Sequence, residues 1–187
     1  MPVTTLDPRT ALIVIDLQQA VVAMPTAHPV APVIDRAAAL IQAFRRHHRP
    51  VILVTVTGRA PGRTDQRRAT TNLPPNAADL IPELDRQPTD HIIAKQSWGA
   101  FTNTGLTAHL QTLRTTQIVL AGIATSTGVE STARQAHELG LNVTLATDAM
   151  TDSNPDAHHN SLTRIFPRLG ETGTTDEIIA LLDRAQA

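Results

Sequence analysis

Short, nearly unbroken apolar runs recur along the chain, separated by stretches with a helical rhythm. The runs are Ala11-Leu12-Ile13-Val14-Ile15-Asp16, Val51-Ile52-Leu53-Val54-Thr55-Val56, His91-Ile92-Ile93-Ala94-Lys95, Gln117-Ile118-Val119-Leu120-Ala121 and Asn142-Val143-Thr144-Leu145-Ala146-Thr147. They are rich in β-branched residues and nearly continuous in apolar character, so each predicts a strand buried on both faces. Between the first two, Val33, Ala37, Leu40, Ile41 and Phe44 fall at i, i+4, i+7, i+8 and i+11, which predicts one face of a helix. Val129, Ala133 and Ala136 mark a second helix near 128–139, with Gly140 suited to the position just past its end. Asn154-Pro155 reads as an N-cap followed by a first-turn proline. Thr174 with Glu177 reads as a capping box ahead of Ile178, Ile179, Leu181 and Leu182.

Strands alternating with helices predict an α/β fold, a parallel sheet with helices on both faces. No repeat, linker or low-complexity block interrupts the rhythm, so residues 1–187 are expected to form one domain. The exception is the connection 57–90, long and rich in Arg, Pro and Thr, with a short helix expected from Ala77 to Leu84. Connections of that length in compact domains are usually functional or interfacial.

Charge and composition narrow the partners. A net charge of −1 gives no global field to draw the chain to nucleic acid or to an anionic membrane. No apolar run approaches the ~18 residues of a membrane span, and no basic segment precedes an apolar core at the N-terminus. A cytoplasmic protein is expected. There is no cysteine, which excludes disulfides, thiolate metal sites and a cysteine nucleophile. Of 16 basic residues, Lys95 is the single lysine, at the end of a strand-like run. Lysine and arginine differ most where a compact ammonium must fit a pocket or have its pKa adjusted.

Open parallel sheets bind ligands beyond the carboxyl ends of their strands, where the strand order reverses. Three features fall at such ends. Asp16 closes the first run, Lys95 closes the third, and the fourth leads into Gly122-Ile123-Ala124-Thr125-Ser126-Thr127-Gly128 and then a helix. That turn presents backbone N–H groups where negative charge could develop. It has neither the spacing of a dinucleotide fingerprint nor the Gly-Lys-Ser/Thr of a phosphate loop. Singly, Asp16 reads as a turn former, Lys95 as a solvated strand end and the turn as a sharp junction. Together they point to acid–base or acyl-type chemistry.

Five blocks, in order, resemble the isochorismatase-like, or cysteine hydrolase, superfamily over nearly the whole length. They are Ala11 through Gln18, Lys95-Gln96-Ser97-Trp98-Gly99-Ala100-Phe101, Ala121 through Arg134, Asp148-Ala149-Met150-Thr151-Asp152, and Phe166-Pro167-Arg168-Leu169-Gly170. The resemblance implies a three-layer α/β/α sandwich around a Rossmann-like six-stranded parallel sheet, assembled as homodimers or larger homo-oligomers. It assigns Asp16 as catalytic carboxylate and Lys95 as catalytic ammonium. It implies a cis peptide between Ile123 and Ala124, an oxyanion hole of the Ala124 and Gly128 amides, and a pocket involving Gln18, Trp98, Phe101, Thr125 and Thr127. Core packing competes with the pocket for Trp98 and leads for Phe101. A metal-bearing branch of the superfamily uses an Asp-x-His and a histidine in the second connection. Residues 57–72 hold no histidine, so neither metal nor other cofactor is expected. His158-His159 reads as packing or capping, and Arg45-Arg46-His47-His48-Arg49 as a helix end where cations suit the dipole.

The chain departs from most of the superfamily at Gly128, where the nucleophilic cysteine would stand. Thr125, Ser126, Thr127 and Ser131 are nearby hydroxyls, read as turn and cap residues, with Thr127 an outside candidate. An alcohol needs a base within hydrogen-bond reach to become a nucleophile. Isochorismatases also carry glycine there, and the empty place is expected to leave room for a larger ligand. The first expectation is therefore a hydrolase of a small anionic metabolite of the enol-pyruvyl ether type, with Asp16 as general acid/base and Lys95 as electrostatic partner. Such chemistry needs a carboxyl group protonated near neutrality, which burial favours and an adjacent ammonium opposes. The turn sequence is closer to the amidase-like branch, so an amide or ester hydrolase using directly activated water stays open. So does a non-catalytic ligand-binding member. Arg59, Arg63, Arg67 and Arg68 offer a carboxylate clamp, or a solvated loop or subunit contact.

Overall fold

The computed structural model describes residues 2–65 and 75–184. Arg67 and Arg68 lie outside the described residues. In chain order the elements are β1 (Thr10–Ile15), α1 (Gln19–Val22), α2 (Val30–Arg46), β2 (Val51–Val56), β3 (His91–Lys95), α3 (Leu106–Thr112), β4 (Gln117–Ile123), α4 (Glu130–Glu138), β5 (Asn142–Thr151), α5 (Pro155–Asn160), α6 (Phe166–Leu169), β6 (Glu171–Gly173) and α7 (Thr175–Arg184). The six strands form one sheet in the order β3-β2-β1-β4-β5-β6, and every neighbouring pair is parallel.

β1 shows why the apolar runs become central strands. Its residues are at most 1% exposed, and they divide between two cores. Leu12 and Val14 pack with Ala37, Leu40, Ile41 and Phe44 of α2 and with Ile178 and Leu182 of α7. Ala11, Ile13 and Ile15 face the other way, towards Leu106 and Leu110 of α3, Ala133 and Ala136 of α4, and Phe166 of α6. Each large aliphatic side chain so buried contributes roughly 1.5–3 kcal/mol. The result is the expected α/β/α sandwich.

The predicted caps form. The Asn154 side chain accepts from the amides of Asp156 and Ala157 at the start of α5. Thr174 and Glu177 exchange side-chain-to-backbone bonds, Thr174 N to Glu177 Oε2 at 2.8 Å and Glu177 N to Thr174 Oγ1 at 3.3 Å.

The largest differences from the sequence expectation lie in β4, β5 and the 77–84 segment. β4 runs two residues further, to Ile123, and β5 four further, to Thr151. Pairing of β5 with β4 jumps from Leu120↔Leu145 to Gly122↔Met150, so β5 bulges away and returns, and its end reaches the crevice. The helix expected from Ala77 to Leu84 is absent apart from one tight turn at Pro82–Leu84. Instead, Gln19 N donates to Asp79 O, Ala20 N to Ala77 O and Ile81 N to Leu17 O, so the segment's backbone is engaged by residues 17–20. Pro82 also holds Ile81 extended, against helix continuation.

Among the described residues, no helix is long and apolar enough to cross a membrane.

Candidate active site

The strand order reverses between β1 and β4. Their carboxyl ends open the crevice where sheets of this kind hold ligands. Asp16 stands one residue past β1 with φ 52°. Aspartate is one of the few residues that enters this left-handed region readily, and the turn takes the chain off the strand direction. On the facing strand, a β carbon on Gly122 would lie 2.1 Å from the Ile15 carbonyl oxygen, and φ there is 116°. Only glycine lets β4 pass this close to the residue preceding Asp16.

Lys95 closes β3, separated from β1 by β2. At about 4.8 Å per strand the gap is about 10 Å, so only a long side chain bridges it. Lys95 Nζ donates to Asp16 Oδ2 at 2.7 Å and to the Ser97 carbonyl at 3.1 Å. The lysine side chain is 1% exposed and that of Asp16 9%. Asp16 Oδ1 is buried and makes no hydrogen bond.

Two effects compete at this carboxyl group. Burial penalises the charged form, while the charge and hydrogen bond of Lys95 favour it. Burial wins, and the Asp16 pKa is pushed up from 3.8 to about 6. Both protonation states are therefore accessible near neutral pH.

The third component is the turn after β4. The Ile123–Ala124 peptide is cis, as the resemblance implies. Thr125–Val129 make one wide π-helical turn that continues into α4. Thr127 N and Val129 N both donate to Ala124 O, at 3.2 and 3.1 Å. Thr132 Oγ1 donates to the Gly128 carbonyl at 2.7 Å, and Asp152 Oδ2 accepts from Ser126 N at 2.7 Å. A β carbon built on Gly128 would lie 3.4 Å from Asp16 Oδ2 and 2.8 Å from Ile15 Cγ2. Gly128 therefore adjoins the carboxylate, and the space expected beside it is partly filled by a methyl group of the fully buried Ile15.

The other residues singled out in the sequence fall in different places. The Gln18 side chain is engaged by backbone, with Oε1 accepting from Val56 N at 2.7 Å and Nε2 donating to Ala78 O at 2.8 Å and Val56 O at 3.2 Å. It clamps the ends of β1 and β2 to the 77–81 segment. Trp98 is 67% exposed, so its indole is not in the core. Phe101 packs against the core on the α3–α4 side. The loop between Lys95 and α3 is tied to α4, with Ala100 N donating to Thr132 Oγ1 at 3.1 Å and Phe101 N to Gln135 Oε1 at 3.2 Å. Thr127 is half-buried, whereas Thr125 is fully buried with His158 Nδ1 2.8 Å from its hydroxyl. Thr125 thus has a base in reach but no exposed surface. Arg59 and Arg63 are exposed. Arg45 and His47 have specific carboxylate partners, Asp90 and Asp183, beyond the helix-end dipole.

Sequence reasoning assigned no role to Asp152 or His28, and read His158 only as packing or capping. Asp152 ends a matched block, which was its one available signal. No spacing along the chain links His28 to His158.

A family model described as the isochorismatase domain matches residues 10–177. The chain is 36% identical over 178 residues to the uncharacterised isochorismatase family protein YwoC of Bacillus subtilis, covering 91% of this chain and 93% of YwoC. It is 30% identical to streptothricin hydrolase of Streptomyces noursei, covering 95% of this chain and 63% of that protein. A solved structure of an isochorismatase family protein from Burkholderia thailandensis matches with a TM-score of 0.91 at 39% identity, over 96% of this chain and 98% of the other. The chain belongs to the isochorismatase family.

Proposed function

We propose that this member of the isochorismatase family is a hydrolase without a covalent nucleophile, acting on a small anionic enol-pyruvyl ether. The observation that carries the reading is the Asp16 carboxyl group, whose pKa is about 6 and whose Oδ1 is buried without a partner. Because Oδ2 accepts a hydrogen bond from the Lys95 ammonium, Oδ1 is the atom on which a carboxylic-acid proton would sit. In the reaction that proton passes to the methylene carbon of the vinyl ether, giving an oxocarbenium ion. Water adds to the cation and returns a proton to Asp16, and the hemiketal collapses to pyruvate and an alcohol. Lys95 keeps the carboxyl group oriented, and its charge offsets the carboxylate formed on proton transfer. The Ala124 and Gly128 amides would bind an oxygen of the substrate. Trp98, exposed three residues after Lys95, would offer an aromatic face to the substrate.

Gly128 supports a mechanism with no side chain at that place, since Ile15 partly occupies the position of a β carbon. A second reading has its own support, because the similar protein from Streptomyces noursei is named a streptothricin hydrolase. There, ionised Asp16 would act as base, activating water to attack an amide or ester carbonyl. A purely ligand-binding protein is disfavoured by the buried carboxyl–ammonium pair, which costs desolvation energy that a vacant site does not require.

Incubating isochorismate with wild type and with Asp16→Asn, and measuring pyruvate, tests the proposal. Release by wild type and a loss of at least about 100-fold in the variant support it, the scale of a removed general acid. Equal release by both, or none by wild type, overturns it.

A further inference from the structure

The turn that carries Ala124 and Gly128 is gripped by residues outside the Asp16–Lys95 pair. Thr125 is fully buried, and His158 Nδ1 lies 2.8 Å from its hydroxyl. His158 sits on α5 and is itself buried. Its ring meets that of His28, with centroids 4.7 Å apart and planes tilted by 59°. His28 precedes α2, and its Nδ1 lies 3.1 Å from Thr151 Oγ1 at the end of β5. One residue earlier, Ala27 N donates to the Asp152 carbonyl at 2.7 Å. The Asp152 carboxylate accepts from Ser126 N in the turn at 2.7 Å and from Asn154 N at 3.1 Å.

Two links therefore converge on residues 124–128. One runs from Asp152 to the Ser126 amide, and the other from His28 through His158 to the Thr125 hydroxyl. Because Thr125 is sealed from solvent, its hydroxyl is not a nucleophile, and its bond to a buried imidazole serves geometry. We infer that His158 is a positioning residue for the candidate site: through Thr125 it fixes the turn that presents the Ala124 and Gly128 amides, and through His28 it ties that turn to the segment before α2. The inference rests on the reading above only in treating the turn as part of the site.

The titrating member of the link is His158. The charged and titratable groups facing His158 are His28 from the segment before α2, Asp152 from the end of β5, and His159 on its own helix. Nearby, Glu130 at the start of α4 bonds Ser161 at 2.6 Å. The turn itself contributes only the hydroxyls of Thr125, Ser126 and Thr127. A proton on His158 would sit against the His28 ring, with Asp152 the facing carboxylate. Burial and His28 keep the His158 pKa below its usual 6.5, so the neutral, linked form dominates at neutral pH.

The test uses substrate-free protein, so its result does not depend on whether any vinyl ether is hydrolysed. Amide hydrogen exchange and 1H–15N shifts of Ser126, Thr127 and Gly128 are followed against pH in wild type, His158→Asn, Thr125→Val and Thr125→Ser. Asparagine retains a polar atom near the Nδ1 position but does not titrate. The inference expects exchange at these amides to rise about five- to tenfold in Thr125→Val, the scale of one lost buried hydrogen bond, and to return towards wild type in Thr125→Ser. It also expects an acid-side transition of the Ser126 and Thr127 amides, below pH 6.5, that vanishes in His158→Asn; Gly128 is left out of this readout because it adjoins the Asp16 carboxyl group, which titrates at about 6. Unchanged exchange in Thr125→Val, or an acid transition that persists in His158→Asn, overturns it. Should His158→Asn not fold, the Thr125 pair decides alone.

Discussion

Lys95 reaches across a whole strand to place its ammonium 2.7 Å from Asp16 Oδ2, and both side chains are buried, that of Asp16 keeping 9% exposure. The pair costs more desolvation than a surface ion pair, and removing one member leaves the other stranded. Asp16→Leu, which removes the acceptor and strands the Lys95 charge, is expected to lose about 3–5 kcal/mol in urea unfolding at pH 7. The double variant Asp16→Leu/Lys95→Met is expected to be no less stable than Asp16→Leu, and within about 2 kcal/mol of wild type. A double variant less stable than Asp16→Leu would mean that the pair is a net stabilising contact.

Lys95 also limits how far burial raises the Asp16 pKa, through its charge and its hydrogen bond. Replacing it with methionine removes both lowering effects. The carboxyl pKa, followed by 13C NMR, is expected to move above its wild-type value of about 6. An unchanged or lower value contradicts the assignment of causes.

Stability should carry the same signature. In the native protein the Asp16 pKa is about 6, against an ordinary 3.8 when unfolded. Between those values the native state retains a proton that the unfolded chain has released, so this group's contribution falls as pH rises through the window. Wild type minus Asp16→Asn isolates it from His158, whose lowered pKa acts in the opposite sense below 6.5. The difference in unfolding free energy is expected to change by roughly 2–3 kcal/mol between pH 4 and pH 7. A flat difference would place the Asp16 pKa near its ordinary value.

Gly128 and Ile15 are coupled by sterics, since a β carbon on the former would lie 2.8 Å from Cγ2 of the latter. Gly128→Ala is expected to cost about 1–3 kcal/mol, the usual price of overpacking. Ile15→Val keeps the Cγ2 branch, so Ile15→Ala is the relieving partner, and its double variant should show a coupling of at least about 0.5 kcal/mol. Strictly additive losses would mean that Ile15 does not crowd the position.

Much of this arrangement was legible along the chain. The central strands announced themselves because residues such as Leu12 and Ile13 are buried on opposite faces, leaving no polar alternation. Composition singled out Lys95 before any geometry was known. That it reaches Asp16 depends on β2 lying between β3 and β1, a property of strand order rather than of local pattern. The Ala77–Leu84 helix failed for a related reason, because residues 17–20, far away in sequence, take up the segment's backbone bonds. β6 is a three-residue polar strand, Glu171–Gly173, recognisable only beside β5. The competing effects on the Asp16 pKa could be named from sequence, but their balance depends on how deeply the carboxyl group is buried.

The direction of the pH–rate profile tests the central claim most directly. If protonated Asp16 is the acid, kcat/KM for pyruvate release from isochorismate falls as pH rises through about 6, the pKa of its carboxyl group. Asp16→Asn should abolish that limb together with the activity. A rate that instead rises through the same pH would contradict the account and assign Asp16 as a base.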